Sequence, residues 1–238
     1  MIALKIPKKI NYKKYRWFVT SSDKLVVGGK SAEQNEELVK MCMKGEHLDL
    51  ESRASLEEWT NKKKKYIVMH TNAPGSPFSI ILDENPNQKD LDETAIFTAS
   101  FSRAWRELKK EVNIDVFLLE QMYKEKGMKV GTFGVLGKRD VKKVPLKLYF
   151  KKQSNILRAV PFEIKNSPII IPGKIPKEKF AMQISEKFKV SLKEAINSLP
   201  TGNFDFFIPV ETKKKTKIKT NLKKKTSTKK KGNIKKKN

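Results

Sequence analysis

The sequence predicts an α+β fold: a mixed, largely antiparallel sheet with packed helices, followed by a disordered basic C-terminal tail. Three observations lead there. Aromatic and β-branched runs alternate with capped helical stretches along most of the chain. Their spacing lacks the regularity of βαβ units in a doubly wound sheet. Composition then changes abruptly at Glu211, after which 14 lysines face one acid and aromatic residues are absent. Such a segment has too little apolar surface to offset the entropy of ordering.

The elements follow in chain order. Residues 1–14 form a basic arm, and Tyr15–Thr20 with Leu25–Val27 read as a hairpin across the Ser21–Lys24 turn. Ser31-Ala-Glu-Gln34 is a capping box in which Gln34 reaches back to the backbone at Ser31. The helix it opens sets Ala32, Asn35, Leu38, Val39 and Cys42 on one face and ends at Gly45, so Cys42 reads as a core residue. From Glu46 to Lys65 the pattern deteriorates into a surface excursion, with a short helix capped at Ser55. Tyr66–Thr71 and Phe78–Leu82 are strands around the rigid Asn72–Pro77 loop.

Asp90 to Glu93 caps one long helix whose apolar face runs from Leu91 to Leu108. Arg103, Arg106 and Lys110, at i, i+3 and i+7, form a basic edge of that same helix. Val112–Leu119 is a buried strand, and Gly131, Gly134 and Gly137 mark backbone that bends or is closely approached. Strands are then expected at Leu146–Phe150, Ile156–Ile164, Pro168–Pro172 and Phe204–Ile208. A core stripe of Phe180, Ile184 and Phe188 and a helix capped at Ser191 lie among them. The expected organisation is the arm at 1–14, a domain at 15–145, an α+β extension at 146–210 packed on or continuing it, and the tail at 211–238.

The net charge of +26 points to a polyanionic partner. One cysteine and two histidines exclude a disulfide framework and the usual zinc spacings, so no metal site or cofactor is expected. No apolar run approaches the roughly 18 residues of a membrane span, and the Met1–Pro7 stretch lacks the apolar core of a signal peptide. A cytoplasmic protein with no membrane partner is expected.

Catalytic signatures are absent: there is no nucleophile elbow, no His-Glu-x-x-His and no Walker loop. His70 sits at a strand end before a Pro-Gly loop and reads as a structural residue or a ligand contact. Gly28-Gly29-Lys30 precedes a helix N-terminus and reads either as a phosphate loop or as a hairpin exit into a capped helix. Gly131 to Arg139 combines flexible backbone with Lys138 and Arg139, which suits a nucleic-acid contact and equally a solvated turn.

These segments in their order resemble one family. Tyr15–Ser21, Gly28–Glu36, His70-Thr71 with Pro74–Pro77, Ala99–Trp105 and Gly131–Arg139 look like the NFACT-R domain, the RNA-binding domain of ribosome quality-control and fibronectin-binding proteins. The resemblance covers about Tyr15 to Asp140. Pro77 stands where many bacterial relatives carry a second histidine, and the chain reads as a stand-alone, archaeal-type version. It implies a non-enzymatic protein that binds structured RNA, either ribosomal RNA of the large subunit or tRNA, with a link to translation or ribosome quality control. Arg103, Arg106, Lys110, Lys138 and Arg139 are then expected on phosphates, His70 on ribose or phosphate, and Gly75, Ser76 and Gly131 where the backbone is approached closely. The alternatives are a DNA-binding architectural protein, which the lysine tail would also serve, and a nucleic-acid-processing enzyme using His70.

Overall fold

A computed structural model describes residues 11–43 and 65–207. The expected lysine tail, most of the N-terminal arm and nearly all of the 46–65 excursion lie outside these residues.

Strands β1 (Arg16–Val19), β2 (Leu25–Gly28), β3 (Ile67–Thr71), β4 (Ser79–Ile81), β5 (Glu111–Leu118) and β8 (Asp140–Pro145) form one sheet in the order β1-β2-β4-β3-β5-β8. Every neighbouring pair in it is antiparallel. Alternation along each strand sends side chains to opposite faces, and here both faces are covered. Trp17, Val27, Val68, Ile80 and Phe117 pack with Leu38, Val39 and Cys42 of α1 (Ala32–Met43). Phe18, Val26, Met69, Ile81, Ile114 and Val116 face Ala95, Phe97 and Ala99 of α2 (Gln88–Ser100). Cys42 is buried, in agreement with its reading as a core residue.

The hairpin joining β1 and β2 is fixed by Asp23, which adopts φ +64° in the turn. Buried acids at the start of α2 hold that turn from below. Thr20 Oγ1 donates to Asp90 at 2.6 Å, and Ser21 N–H donates to Glu93 at 2.8 Å. Asp90 also accepts from Asn87 N–H at 2.8 Å, completing a capping box whose N-cap is Asn87. The helix therefore starts three residues before the expected cap at Asp90.

The long helix expected through Leu108 is interrupted. Ser102 Oγ donates to Ala99 O and caps Ala104 N–H, while Arg103 N–H donates to Gly75 O at 2.8 Å. That loop bond takes the place of the helical one, so a separate short turn, α3 (Arg103–Arg106), begins there. Leu108 adopts φ +56° and is exposed, and Lys110 lies beyond the turn. The single basic helix edge does not form: Arg103 and Arg106 share α3, while Lys110 belongs to the connection into β5.

Beyond β8, β9 (Tyr149–Gln153) and β10 (Ile156–Val160) form a hairpin. Its two turn residues, Ser154 and Asn155, have φ +48° and +61°, the geometry that matches strand twist. The first strand thus runs later than the expected 146–150, and the second stops at Val160. Strand β11 (Ile169–Ile175) pairs with β12 (Phe204–Phe207), and helices α4 (Lys177–Phe188) and α5 (Leu192–Ser198) connect them. Ser191 caps α5 as expected, accepting from Glu194 N–H. A small ladder of β6 (Met122–Tyr123) with β7 (Gly134–Val135) and the polar strand β8 carry no apolar alternation that marks them in the sequence.

The extension shares the α2-side core. Leu157, Phe180, Ile184 and Phe204 join Phe18 and Trp105 in one cluster. Trp105 Nε1 donates to Asn203 O at 3.0 Å. Gln153 pairs with both the N–H and C=O of Val19 at 2.9 and 2.6 Å, so its amide acts as a strand partner for the edge strand β1. Replacing a buried, doubly bonded amide exposes two unpaired backbone groups, at about 1–3 kcal/mol. Gln153→Ala is therefore expected to lower the urea unfolding free energy by about that amount. The transition should remain single, and two separated transitions in the unmutated chain would show that the extension folds independently.

Candidate functional site

Four segments meet at the C-terminal end of β3, around an open cleft of about 560 Å³. They are the β2–α1 junction, the 72–78 loop, α3 and the 131–139 segment.

The first turns of α1 hold two of these walls. Asn35 is buried; its Oδ1 accepts from Phe78 N–H at 3.1 Å and its Nδ2 donates to Ser76 O at 3.3 Å. A Cβ at Gly29 would lie 2.6 Å from Asn35 N, so only glycine permits this approach. Glu36 holds the opposite wall. It accepts from Gly131 N–H at 2.7 Å, pairs with Lys124 at 2.8 Å and pairs with Lys40 at 2.6 Å. Lys124, then Lys40 and the Gly131 N–H, hold its carboxyl down at about 2.

The glycines expected to admit a ligand are occupied by the chain itself. Gly131, at φ +76°, has Ala32 where a Cβ would be, 2.8 Å away. Gly75, at φ +102°, lies against the Arg103 side chain, whose Nε would be 3.2 Å from a Cβ. Ser76 is buried and its Oγ accepts from Thr71 N–H at 3.0 Å, bracing the loop. The phosphate-loop geometry is closed in a similar way. Lys30 N–H donates to Gln34 Oε1 at 3.1 Å, and Gln34 N–H donates to Ser31 Oγ at 3.3 Å. Gln34 thus reaches Lys30 rather than Ser31, and the helix start is self-capped. Gly28 lies within β2, with Pro77 3.0 Å from where its Cβ would be, and does not line the cleft.

Among the described residues, Arg16, Lys30, Arg103, Arg106 and Arg139 line the cleft, against one carboxylate, Asp115. Asp115 is buried on β5 and accepts from Arg139 Nη1 at 3.1 Å, which orients the exposed guanidinium. Arg16 lies over the Phe101 ring at 4.8 Å, and burial pulls it down to about 10. Lys110 and Lys138 are exposed but stand outside the cleft. Arg16, Asn35 and Asp115 had no sequence signal as site residues; a strand arginine, a helix-face asparagine and a strand aspartate become informative only once register brings them together.

His70 stacks on Phe78 with ring centroids 4.3 Å apart, and its Nδ1 lies 2.6 Å from Thr71 O. A carbonyl only accepts, so Nδ1 carries the proton and Nε2 of the neutral ring is an acceptor. Burial lowers its pKa, opposed by Thr71 O and the Asp115 charge. At neutral pH the ring is therefore uncharged. Phe133, edge-on to Phe78 at 5.7 Å, completes an aromatic wall beside it. Among the described residues no cluster of three or more His, Cys, Asp or Glu could hold a metal, and no helix is long and apolar enough to cross a membrane.

Two outcomes test the walls. Asn35→Ala leaves Phe78 N–H and Ser76 O without partners and is expected to cost about 1–3 kcal/mol in chemical unfolding. Glu36 has a folded pKa below its ordinary 4.5, so its stabilisation is complete above that value and is lost as pH falls toward about 2. Glu36→Gln should flatten that part of an acid-unfolding curve; an unchanged curve would show that Glu36 does not couple the wall to the fold.

Comparison with known proteins bears on this site. Residues 14–137 match the NFACT protein RNA binding domain, a span that includes every cleft residue named above except Arg139. The chain is 27% identical over 224 residues to the archaeal Rqc2 homolog aRqcH of Methanocaldococcus jannaschii. That alignment covers 84% of this chain and 30% of the relative. It also resembles the C-terminal part of the fibronectin/fibrinogen-binding protein from Streptococcus suis, at 21% identity and a TM-score of 0.42, covering 59% of this chain and 47% of that one.

Proposed function

We propose that this chain, which belongs to the NFACT RNA-binding domain family, docks structured RNA in the cleft without catalysing a reaction on it. The observation that carries the reading is that, among the described residues, five cations from separate segments gather around one cleft with a single acid. Phosphates balance such a surface, and structured RNA offers them in a fixed pattern together with 2′-hydroxyls. Arg103, Arg106 and Arg139 supply charged donors to phosphate oxygens. His70, neutral and with Nε2 as acceptor, suits the hydrogen of a ribose 2′-hydroxyl better than a phosphate. Phe78 and Phe133 form an aromatic wall.

Large-subunit ribosomal RNA and tRNA are the favoured ligands, in keeping with the relationship to an Rqc2 homolog, and a cytoplasmic role in translation or ribosome quality control follows from them. The lysines from Glu211 to Asn238 would add sequence-independent affinity.

Fluorescence anisotropy with labelled tRNA at fixed salt tests the site. Arg103→Met and Arg139→Met each remove charged hydrogen bonds and are expected to weaken binding about tenfold or more. Lys110→Met, outside the cleft, should change it much less. Equal small losses from all three, for structured and single-stranded RNA alike, would reduce the protein to a nonspecific polycation. His70→Phe keeps the stack on Phe78 and removes the acceptor. It is expected to narrow the preference for RNA over a matched 2′-deoxy ligand, and an unaltered preference would remove His70 from ribose recognition.

A further inference from the structure

Beside the cleft, across Arg16 and Lys30, lies a notch between β1 and the C-terminal extension. Arg16, Trp17 and Lys30 line one side of it, and Arg158, Asn197 and Ser198 line the other. Arg16 and Lys30 also line the main cleft, so the two sites share a wall. Arg158 on β10 and the α5 residues fall beyond residue 137, where the family match ends.

The chemistry of the notch is unbalanced. The Arg158 guanidinium lies over the Trp17 ring, 4.1 Å from its centroid, as Arg16 lies over Phe101. A guanidinium held over an aromatic face keeps N–H donors for a carboxylate or phosphate. Among the described residues, Arg16, Lys30 and Arg158 take part in no salt bridge. Arg158 Nε is buried without a hydrogen-bond partner. The acid whose charge reaches Arg158, Glu194, accepts from Leu157 N–H at 2.7 Å. Lys177 adds a further cation to the surroundings of Arg16 while donating to Leu199 O at 3.2 Å. Burial lowers the pKa of all four cations, and the charges of Arg16 and Arg158 lower Lys30 further. Like charges held together in a partly desolvated place are costly until an anion joins them.

The room available decides what kind of anion. The notch takes about 10 Å³, close to one water-sized group, which excludes a base or a whole nucleotide. A non-bridging phosphate oxygen fits that space, with the rest of its phosphate outside. We propose that Arg16, Lys30 and Arg158 form a second phosphate subsite, through which the C-terminal extension grips the backbone of the RNA held in the cleft. The subsite rests on the RNA-docking reading, and it gives the extension a part in binding.

The test uses the full chain, labelled tRNA and a series of potassium chloride concentrations. Arg158→Met keeps the aliphatic stem against Trp17 and removes the charge; Arg158→Gln replaces it where the methionine variant does not melt cooperatively. Affinity is expected to fall about tenfold, and the slope of log K against log salt to flatten by about 0.7–0.9, one phosphate's share. In parallel, single neutral methylphosphonate linkages are placed along a hairpin RNA that reproduces the affinity. One linkage should weaken the unmutated protein and cost the Arg158 variant nothing further, since the two changes remove the same contact. Unchanged affinity and slope in the Arg158 variants, with Arg139→Met still weakening binding, overturn the subsite and leave the cleft standing. Silence of the cleft variants alone overturns the cleft reading instead. If no linkage is coupled to Arg158, any loss in its variant is structural and the subsite is likewise overturned.

Discussion

The cleft exists because two consecutive residues of one helix hold its two walls. Asn35 faces the sheet and bonds the 76–78 backbone, while Glu36, one position around the helix, bonds Gly131 N–H and Lys124. Successive residues on a helix point about 100° apart, so adjacent positions naturally serve different neighbours. Both contacts use backbone groups of irregular segments that no ladder satisfies, and buried groups of that kind must find partners. The position of Arg103 follows from the Asn35 contacts, while sheet register sets Arg139 and His70. Gly75 O, on the loop that Asn35 fixes, receives Arg103 N–H and starts α3. The register of β5 against β3 sets Asp115 opposite His70, and against β8 it brings Arg139 within reach of Asp115.

Such a site carries an electrostatic load that the rest of the molecule must bear. Five cations around one cleft repel one another, and Asp115 balances only Arg139 directly. The load is tolerable because the sheet is covered on both faces, with Trp17, Phe18, Trp105 and Phe204 almost wholly buried. Each such aromatic is worth about 3–5 kcal/mol against truncation, more than a partly solvated charge contact costs. Aromatic faces under Arg16 and Arg158 relieve part of the repulsion without supplying a carboxylate that would compete with a phosphate. A ligand anion would then add to folding stability by mass action.

Much of the frame was legible in the sequence because its signals are local. The β1–β2 hairpin, the α1 start at Ser31 and the strand ending at Thr71 each depend on turn or capping residues close in the chain. The failures are tertiary. The run from Leu91 to Leu108 has helical periodicity throughout, but the bond from Arg103 N–H to Gly75 O, a contact across 28 positions, ends the helix and removes Lys110 from the expected edge. Strand β8 reads Asp-Val-Lys-Lys-Val-Pro and is mostly exposed, so it lacks the apolar alternation by which strands are found; only β5 beside it makes it a strand. Arg16 carried no signal because a cation in a short strand ordinarily faces solvent.

Gly75 and Gly131 show most plainly what a sequence conveys about a site. Glycine marks a position where a Cβ has no room or where φ is positive, and at both positions that inference holds. The sequence is silent on what fills the space. At Gly131 it is the first turn of α1, and at Gly75 it is the Arg103 side chain. The glycines therefore act one step back from any ligand: they let the chain approach itself closely enough for its cations to converge. A larger residue at Gly131 would push the 131–139 segment away from α1, and with it the guanidinium that Asp115 orients. The same logic separates the two classes of residue that the sequence presented together. Gly75, Ser76 and Gly131 build the cleft, whereas Arg16, Arg103, Arg106 and Arg139 give it its positive charge.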